Sequence, residues 1–485
     1  MKVTKLCGFD TEFAITGDEP IKASNRVVDA YLDLAPEEGR LACIQFGRSR
    51  DLMLANGARF YVDHAHPEYS TPECVDLITL LAAERAGAEI VRRCAEAASR
   101  DGSELRIYKN NSDHQNHSYG CHENYLMEAE TYDSLFGNKA HLIYTLLAPF
   151  LVSRIVFAGS GKVGAENGRE PVPFQLSQRA DFFETVLGIQ TTERRPIVNT
   201  RDEPHADRER FRRLHVIAGD ANMCPYATWL KAGTTRLVLA AMEEDSPRLA
   251  LALDDPVRAI VEISHDPSCA ASVSLADGRS LTAIELQREF LEFARTASAI
   301  EPEDEVVLRE WELTLEALEH DPQSLVGRLD WVTKQSVIGD LGAACGWGLE
   351  SPQAIVADHL YHALDRSESL YFSLEEADLV TWPPGWDPAL ENRLIFEPPT
   401  ASRAWLRGQI ISAFESHIRG VDWSEIQFPK LALGMPDPLL GGQKDVGDLF
   451  EGSPSYQQFL DRLNDRFGRP QPDAQTTPIQ GDSHG

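Results

Sequence analysis

The sequence is poor in positive charge, and above all in lysine. It contains 46 Lys and Arg against 76 Asp and Glu, a formal net charge of −30, and only ten of the cations are lysines. Because this net charge repels phosphates, it argues against a nucleic-acid-binding protein and against binding to anionic lipid. Arginine suits the recognition of carboxylates and phosphates, but a biased genome composition explains its excess equally well.

The sequence also lacks paired cysteines and long apolar runs. Its eight cysteines include no CxxC pair, and a chain of 485 residues does not need disulfides to fold, which favours a reducing cytoplasm. The most apolar tract, 141–159, contains Pro149 and Arg154 and is too short for a membrane span. The N-terminal residues do not resemble a signal peptide. We therefore expect a cytoplasmic protein with neither membrane nor nucleic acid as a partner.

Several common catalytic motifs are missing as well. The chain contains no HExxH and no GxSxG, and GSGKVG at 159–164 does not have the spacing of a P-loop. Cys121 and His122 are adjacent, so on a strand they would point to opposite faces, which disfavours a Cys/His nucleophilic pair. The chemistry is therefore expected from side chains that strand and loop geometry brings together.

The remaining pattern predicts an α+β fold. Segments rich in β-branched and aromatic residues predict strands at 3–15, 58–66, 105–111, 195–201 and 214–220. Helical spacing of apolar residues predicts helices at 25–34, at 75–99 and over most of 280–375. Pro-rich breaks near 381–388 and 397–403 separate this part from a small C-terminal unit. We predict a main domain at 1–404, a small C-terminal domain at 405–465 and a disordered tail at 466–485.

Two of the predicted strands carry polar side chains on one face. The two-residue period of a strand puts Arg59, Tyr61 and Asp63 on the same side, and it places Asp10 and Glu12 side by side. If the two strands are neighbours, three carboxylates, a phenol and a guanidinium share one sheet surface. The alternative is structural: Asp10, Glu12 and Arg59 form salt bridges on the rim of a barrel.

The predicted loop after the second of these strands adds further ligands. It contains His66, Glu68 and Glu73. Carboxylate oxygens suit magnesium, with nucleotide phosphates as additional ligands. In that arrangement Asp63 is free for nucleophilic or general-base work.

Two later strands bring more candidates. Asn199 and Arg201 would share one strand face, and so would Arg213 and His215. A single buried histidine is usually a core residue with satisfied hydrogen bonds, so spacing alone does not make His122 or His215 a ligand.

Four long motifs identify a family. They are NGARFYVDHAHPEYSTPE at 56–73, KNNSD with SYGCHENYL at 109–126, FQLSQRADF from 174, and IVNTRDEPHADRERFRRLHVIAGDANM at 197–223. They resemble the family of the Pup ligase and the Pup depupylase/deamidase, enzymes that attach or remove the prokaryotic ubiquitin-like protein Pup. The similarity continues through 402–414 and 421–423. It implies a glutamine-synthetase-like fold, with a curved antiparallel sheet, helices on its outer face and a small C-terminal domain.

The resemblance also implies roles for individual residues. It makes Asp63 the catalytic aspartate and assigns the magnesium site to Asp10, Tyr61 and Glu68. This sequence departs from the family at Asp10, where glutamate is usual. The shorter side chain reaches one methylene less far, so we expect weaker magnesium binding unless the strand lies closer to the metal.

Further assignments concern the nucleotide, a second metal and the substrate. The resemblance implies ATP contacts at Arg59, Thr71 and Trp423. It implies, more loosely, second-metal ligands at Glu12 and His215. Arg201 corresponds to a contact for a phosphate or for the terminal glutamate of Pup.

The two branches of the family are harder to separate. DHAHPEYS, GSGKVG, GDAN and ISHDPS resemble the hydrolytic branch, whereas GCHENYL is closer to the ligase branch. The segment between Asp10 and Asn56 is too short for the long insertion typical of the depupylase, but loops tolerate deletion. We favour an ATP- and magnesium-dependent depupylase that cleaves the isopeptide bond between Pup and a substrate lysine, with deamidation of the C-terminal glutamine of Pup as a related activity. The alternatives are a Pup–protein ligase and a weakened Pup-binding protein.

The expected partners are Pup and pupylated proteins. Because Pup-like proteins are acidic, a chain of net charge −30 needs a local basic groove to bind one. The densest run of cations is Arg194, Arg195, Arg201, Arg208, Arg210, Arg212 and Arg213. The alternative is that neighbouring carboxylates neutralise these arginines on a solvated surface.

Overall fold

A computed structural model describes residues 5–38, 42–45, 50–99, 104–244, 249–297 and 301–467. Of the predicted tail, 468–485 lie outside the described residues, whereas 466 and 467 end the last helix. Within the described part, no helix has both the length and the apolar character that crossing a lipid bilayer requires.

The strands, in chain order, are β1 (Cys7–Glu12), β2 (Ala14–Thr16), β3 (Cys43–Gln45), β4 (Asp51–Leu54), β5 (Arg59–Asp63), β6 (His66–Ser70), β7 (Arg106–Tyr108), β8 (Cys121–Glu128), β9 (Lys162–Val163), β10 (Phe174–Gln175), β11 (Thr185–Gly188), β12 (Pro196–Asn199), β13 (Phe211–Val216), β14 (Ser272–Ser274), β15 (Ser280–Thr282), β16 (Gly420–Val421), β17 (Glu425–Phe428) and β18 (Leu431–Gly434).

The helices are α1 (Pro20–Glu38), α2 (Leu77–Ser99), α3 (Ala129–Leu135), α4 (Ala148–Ser153), α5 (Ile155–Ala158), α6 (Pro225–Met242), α7 (Pro256–Ser264), α8 (Ala283–Ala294), α9 (Pro302–His320), α10 (Asp330–Cys345), α11 (Pro352–Tyr361), α12 (Leu370–Glu376), α13 (Pro388–Leu394), α14 (Arg403–Phe414), α15 (Gln443–Val446) and α16 (Tyr456–Phe467). The α+β class and the helical character of 280–375 are therefore confirmed.

The central feature is a seven-stranded antiparallel sheet in the order β13-β8-β1-β6-β5-β4-β3. The strands of Asp10 and Asp63 are thus not direct neighbours, because β6 lies between them. The predicted strand 58–66 is wrong at its end. The chain turns at residues 64–65, where His64 has a φ of 52°, and the predicted loop that follows is strand β6.

The two faces of this sheet differ, as the two-residue period requires. Phe9, Phe60, Tyr69 and Tyr125 are buried on one face, which packs against α1, α2 and α6. Removing such aromatic side chains from water stabilises the fold by roughly 1.5–3 kcal/mol each. The opposite face is left to carry the polar side chains of the same strands.

Other predicted strands are shorter than expected. The first one is interrupted at Phe13, and its second part, β2, pairs with β7 in a separate sheet. The strand predicted at 195–201 ends at Asn199, so Arg201 follows the strand and does not share its face. The strand predicted at 214–220 begins earlier, at Phe211, and ends at Val216.

The C-terminal part has a hydrophobic cluster of its own. Ile410, Ile426 and Phe459 belong to it, and so does Met53 from β4 of the main sheet. Helix α14 begins at Arg403, two residues before the predicted boundary at 405. Because this cluster includes part of the sheet, the small C-terminal domain stays a prediction.

Candidate active site

The polar face of the sheet forms the floor of a cleft of about 830 Å³. All ten residues to which the sequence assigned a role line this one cleft: Asp10, Glu12, Arg59, Tyr61, Asp63, Glu68, Thr71, Arg201, His215 and Trp423. They come from β1, β5, β6, β13 and three loops, so the sheet order and the loops bring them together.

Strand register explains how the carboxylates meet. In β1 and β6, Glu12 lies opposite Glu68, and in β6 and β5, Glu68 lies opposite Tyr61. One row across three strands therefore carries two carboxylates and a phenol on the same face. The neighbouring row contains Asp10 and Arg59, with Ser70 between them.

Two groups of side chains have the geometry to hold a metal ion. The ligand atoms of Asp10, Glu68 and His122 lie within 4.8 Å of one another, and so do those of Glu12, Asp63 and Glu68. Because Glu68 belongs to both groups, two ions could share it as a bridging ligand. Carboxylate-rich groups of this kind match the hard oxygen ligands that magnesium prefers.

The electrostatics of these groups favour a bound cation. Burial raises the pKa of Glu12. Burial also raises the pKa of Glu68 well above its ordinary value, and the charges of Glu12, Asp10 and Asp63 raise it further. Like charges that lie close together in a buried site repel unless a cation lies between them. The residues present therefore fit a divalent ion.

His122 is the ligand that the sequence did not assign. Its ring faces the cleft while Cys121 is buried behind the sheet, as the alternation of strand residues predicts. Gly120 makes room for the ring, since a Cβ there would lie 2.0 Å from His122 Nε2. His215 is outside both ligand groups. Its Nδ1 is 2.8 Å from Asn124 Oδ1 and its ring lies edge-on to His122, so its role as a metal ligand stays a prediction.

In the ligand group of Glu12, Asp63 and Glu68, Asp63 has the most accessible carboxylate. Its side chain is 41% exposed, whereas Glu68 and Glu12 are buried. It ends β5 beside the turn, and its Oδ2 lies 3.0 Å from His64 Nδ1. A carboxylate at the edge of a metal-binding group and open to the cleft can reach a substrate carbonyl or a water molecule.

Arg59 forms an ion pair that the sequence did not reveal. Its Nε and one terminal nitrogen donate to the two oxygens of Asp51 at 2.8 and 2.6 Å, and its guanidinium lies 4.4 Å from the Tyr61 ring centroid. The structural alternative, in which Arg59 bridges to Asp10 and Glu12, is therefore wrong. Asp51 is opposite Tyr61 only because β4 and β5 form a hairpin.

Thr71 and Trp423 both line the cleft, and Trp423 contacts a buried ion-pair cluster through Arg407. The Thr71 hydroxyl accepts a hydrogen bond from Phe9 N at 2.9 Å, and Trp423 lies in the turn between β16 and β17. Glu73, expected as an oxygen ligand, instead pairs with Arg403 and Arg407 at 2.8 and 2.5 Å. Burial alone would raise the pKa of Glu73, but the two guanidinium groups outweigh burial and lower this pKa to about 2.

Arginines dominate another part of the cleft. Burial, and then the charges of Arg179, Arg213, Arg201 and Arg195, lower the pKa of His122 to about 3. Arg179 is 1% exposed, and its Nε and Nη1 have no hydrogen-bond partner among the described residues. A buried cation without a partner is costly, so these atoms fit an anionic ligand such as a phosphate or carboxylate. Sequence reasoning gave Arg179 no role, although it lies in the quoted SQRAD stretch.

The arginines proposed to dock Pup are largely paired with nearby carboxylates. Arg208 pairs with Asp202, Arg210 with Asp437, Arg212 with Asp133 and Arg213 with Glu203, at distances between 2.7 and 3.5 Å. This arrangement agrees with the alternative of local neutralisation. Arg195, Arg201 and Arg213 line the cleft itself. The buried Lys162 of GSGKVG pairs with Glu166 and does not line the cleft.

Comparison with known proteins identifies the family. The family model described as Pup-ligase protein matches residues 5–427, which is most of the chain. The chain belongs to the Pup ligase family.

Relatives within the Pup ligase family are named either for removing Pup or for attaching it. The depupylase of Acidothermus cellulolyticus is 37% identical over 95% of this chain and 99% of the relative. The Pup deamidase/depupylase of Mycolicibacterium smegmatis is 40% identical over 85% of this chain and 83% of its own length. The Pup–protein ligase of Acidimicrobium ferrooxidans is 41% identical over 79% and 85%.

Solved structures of the Pup ligase family share this fold. The complex of Pup with its ligase PafA matches with a TM-score of 0.80 at 29% identity, over 95% of each chain. PafA in complex with ADP matches with a TM-score of 0.74 at 31% identity, over 90% of this chain and 94% of PafA. This similarity agrees with the glutamine-synthetase-like fold that the motifs implied.

Proposed function

We propose that the chain is an ATP- and magnesium-dependent depupylase that hydrolyses the isopeptide bond between Pup and a substrate lysine. The observation that carries the proposal is the cleft. In it, the accessible Asp63 belongs to one of two ligand groups fit for a metal, and the buried Arg179 is fit for an anion. Pup and pupylated proteins are the proposed partners. The eight cysteines, all free thiols, support a cytoplasmic location.

The residues of the cleft have different proposed roles. The proposed metal ligands are Asp10, Glu12, Tyr61, Glu68 and His122, with His215 as a more loosely assigned ligand of a second metal. The proposed nucleotide contacts are Arg59, Thr71 and Trp423. A magnesium ion held by these ligands would polarise the carbonyl of the isopeptide bond, with the nucleotide phosphates as additional ligands of the ion. Asp63 acts on that carbonyl as a nucleophile or, as a general base, accepts a proton from the attacking water. Water is added across the C–N bond, and the substrate lysine leaves as an amine.

The arginine part of the cleft completes the site for an acidic substrate. Arg201 is exposed and lines the cleft, and Arg179 and Arg195 lie beside it. Their charges suit the terminal residue of Pup, which carries a carboxylate. Arginine binds such groups with two parallel hydrogen bonds, so this region favours a fixed orientation of the substrate.

A ligase is the second candidate, and specific observations favour it. Pup–protein ligases from several organisms are 37–41% identical to this chain, as similar as the depupylases are. The two PafA structures share the fold, and the segment between Asp10 and Asn56 is short. In this reaction ATP phosphorylates the terminal glutamate of Pup, and Asp63 deprotonates the incoming lysine.

Nucleotide turnover distinguishes the two candidates. The full chain is incubated with ATP and magnesium, in one reaction with a purified Pup conjugate and in another with Pup and a lysine-bearing protein. We expect the conjugate to disappear with much less than one ADP formed per bond cleaved. Conjugate that accumulates with one ADP per bond would overturn the depupylase assignment in favour of the ligase.

Asp63→Asn is the matched variant for this assay. The amide is nearly isosteric but is neither a base nor a nucleophile, so we expect a folded protein that binds ATP and releases no target. The loss of rate should be on the order of 10³-fold or more. A variant that cleaves the conjugate at the wild-type rate would show that Asp63 is not catalytic.

A further inference from the structure

The cluster of Glu73, Arg403 and Arg407 joins segments that are far apart in the sequence. Glu73 lies between β6 and α2, whereas Arg403 and Arg407 are one turn apart on α14 and therefore point in the same direction. Both arginines are buried, at 2% and 0% exposure. Their ion pairs with Glu73 connect residues 330 and 334 positions apart.

Glu73 sits on a segment that is fixed to the sheet independently of the arginines. The backbone of Cys74 exchanges two hydrogen bonds with Cys7, and Thr71 N donates to Phe9 O at 2.8 Å. Strand β1 thus holds this segment on both sides of Glu73. The carboxylate is a rigid anchor, and it stays ionised because Arg407 and Arg403 hold its pKa near 2.

Arg407 extends from this anchor to Trp423. One terminal nitrogen donates to Trp423 O at 2.9 Å, and the guanidinium lies 4.9 Å from the centroid of the Trp423 ring. The other terminal nitrogen donates to Gly57 O, in the turn before Arg59, at 2.7 Å. One buried side chain therefore contacts both the backbone and the ring of Trp423.

The Trp423 side chain is half-buried. Within the part of the chain that the structure describes, it packs against the C-terminal hydrophobic cluster as well as on Arg407. The turn around it is local, because Asp422 Oδ1 accepts bonds from Ser424 N and Glu425 N. Because the guanidinium of Arg407 stacks on the Trp423 ring, it favours one orientation of the indole plane.

We propose that Arg407 is a positioning residue that holds the Trp423 ring at the nucleotide end of the cleft, with Glu73 as its anchor on the sheet. This inference rests on the proposed use of ATP. It also gives the C-terminal segment a role: Trp423 of this segment forms one side of the nucleotide site, and the buried ion pair of Glu73 with Arg407 holds it in place.

Binding of ADP to the full chain tests the role directly. Isothermal titration is performed on the wild type, Arg407→Lys, Trp423→Leu and the double variant. Lysine keeps the charge but lacks the flat guanidinium and its paired hydrogen bonds, so we expect the Kd for ADP to rise about fivefold or more. In the Trp423→Leu background, which has no ring to stack on, the same change should raise the Kd less than about twofold.

The matched control is Arg366→Lys. Arg366 stacks on Phe372 with its guanidinium 4.4 Å from the ring centroid, outside the cleft. The Arg366→Lys variant should leave the Kd for ADP unchanged. In assays of conjugate cleavage, Arg407→Lys should raise the ATP concentration that gives half-maximal activity, while the rate at saturating ATP stays within about twofold of wild type. A merely structural role would instead lower the rate at saturating ATP through a smaller folded fraction and leave the half-saturating ATP concentration unchanged.

Hydrogen exchange on the wild type covers the case in which Arg407→Lys does not fold. We expect ADP to protect residues 403–407 and 421–424 together. Protection of 421–424 alone would overturn the role of Arg407, and so would equal losses of ADP affinity in both backgrounds. A wild-type chain that binds no ADP would overturn the proposed use of ATP, and with it this role; normal ADP binding that Arg407→Lys leaves intact would overturn the role of Arg407 alone.

Discussion

At the scale of single residues, Asp10 lies where the resemblance to the family leads us to expect glutamate. Its carboxylate accepts a hydrogen bond from Asn124 at 2.8 Å and belongs to the ligand group with Glu68 and His122. Although its side chain is one methylene shorter than that of glutamate, Asp10 thus still lies close enough to Glu68 and His122 to share a metal ion with them. This observation favours an active enzyme over the third alternative, a weakened Pup-binding protein.

Asp10→Glu tests this interpretation. Restoring the methylene should tighten the apparent magnesium affinity by roughly three- to tenfold, with little change in the rate at saturating magnesium. The measurement is a magnesium titration of activity, with the exposed Asp461→Glu as control. If the wild type has no measurable turnover and Asp10→Glu restores it, the chain is the weakened Pup-binding protein.

Gly120→Ala tests the position of His122. A Cβ at residue 120 would lie 2.0 Å from His122 Nε2, so the ring must move away from Asp10 and Glu68. We expect magnesium affinity to fall about tenfold or more with the fold retained. Gly339→Ala is the control, since no neighbouring atom lies within 4 Å of its added Cβ. Unchanged magnesium affinity in Gly120→Ala would exclude His122 as a ligand.

At the scale of elements, β13 and the loop before it carry most of the arginines that the sequence proposed for Pup docking. Arg208 is exposed and pairs with Asp202, and Arg212 pairs with Asp133 and Asp202. An exposed ion pair contributes little to stability, so Arg208 remains available to an acidic partner. The Arg212 side chain is only 16% exposed and is held between two carboxylates.

The double charge reversal Arg208→Glu and Arg212→Glu tests the docking surface. We expect the KM for Pup conjugates to rise several-fold at low salt, and less at high salt, because screening already weakens the wild-type contact. Arg258→Glu, on α7 and paired with Glu262, is the matched control. An unchanged KM at low ionic strength would locate the Pup groove elsewhere on the chain.

At the scale of the whole molecule, Glu73 ties the C-terminal segment to the sheet. Its pKa is about 2 in the folded protein, below its ordinary value of 4.5. A carboxylate with a lowered pKa stabilises the fold fully above pH 4.5, and that contribution is lost as the pH falls toward 2.

Glu73→Gln should therefore destabilise the protein most at neutral pH. We expect a loss of about 3 kcal/mol at pH 7, decreasing to about half of that near pH 3. Urea unfolding of both proteins at pH 7 and pH 3 measures the difference, with Glu262→Gln in an exposed ion pair as control. A penalty that does not decrease toward acid pH would contradict the role of the ionised carboxylate.

Across these scales, local patterns were predictable from the sequence and long-range pairings were not. The face shared by Arg59, Tyr61 and Asp63 follows from the two-residue period of a strand, which needs no tertiary contact. The family motifs likewise indicated the family, which the matching model confirms. The turn at 64–65 was missed because HAH has neither glycine nor asparagine, the residues that usually mark such turns.

The sequence by itself determined the α+β class, the family and which side chains are available for chemistry. Only the tertiary structure decided that β6 lies between the strands of Asp10 and Asp63, that His122 joins the ligand group, and that Glu73 faces arginines. The physical reason is that side-chain direction along a strand depends on the backbone of its immediate neighbours. Strand order and ion pairs across more than 300 residues depend on how the whole chain packs.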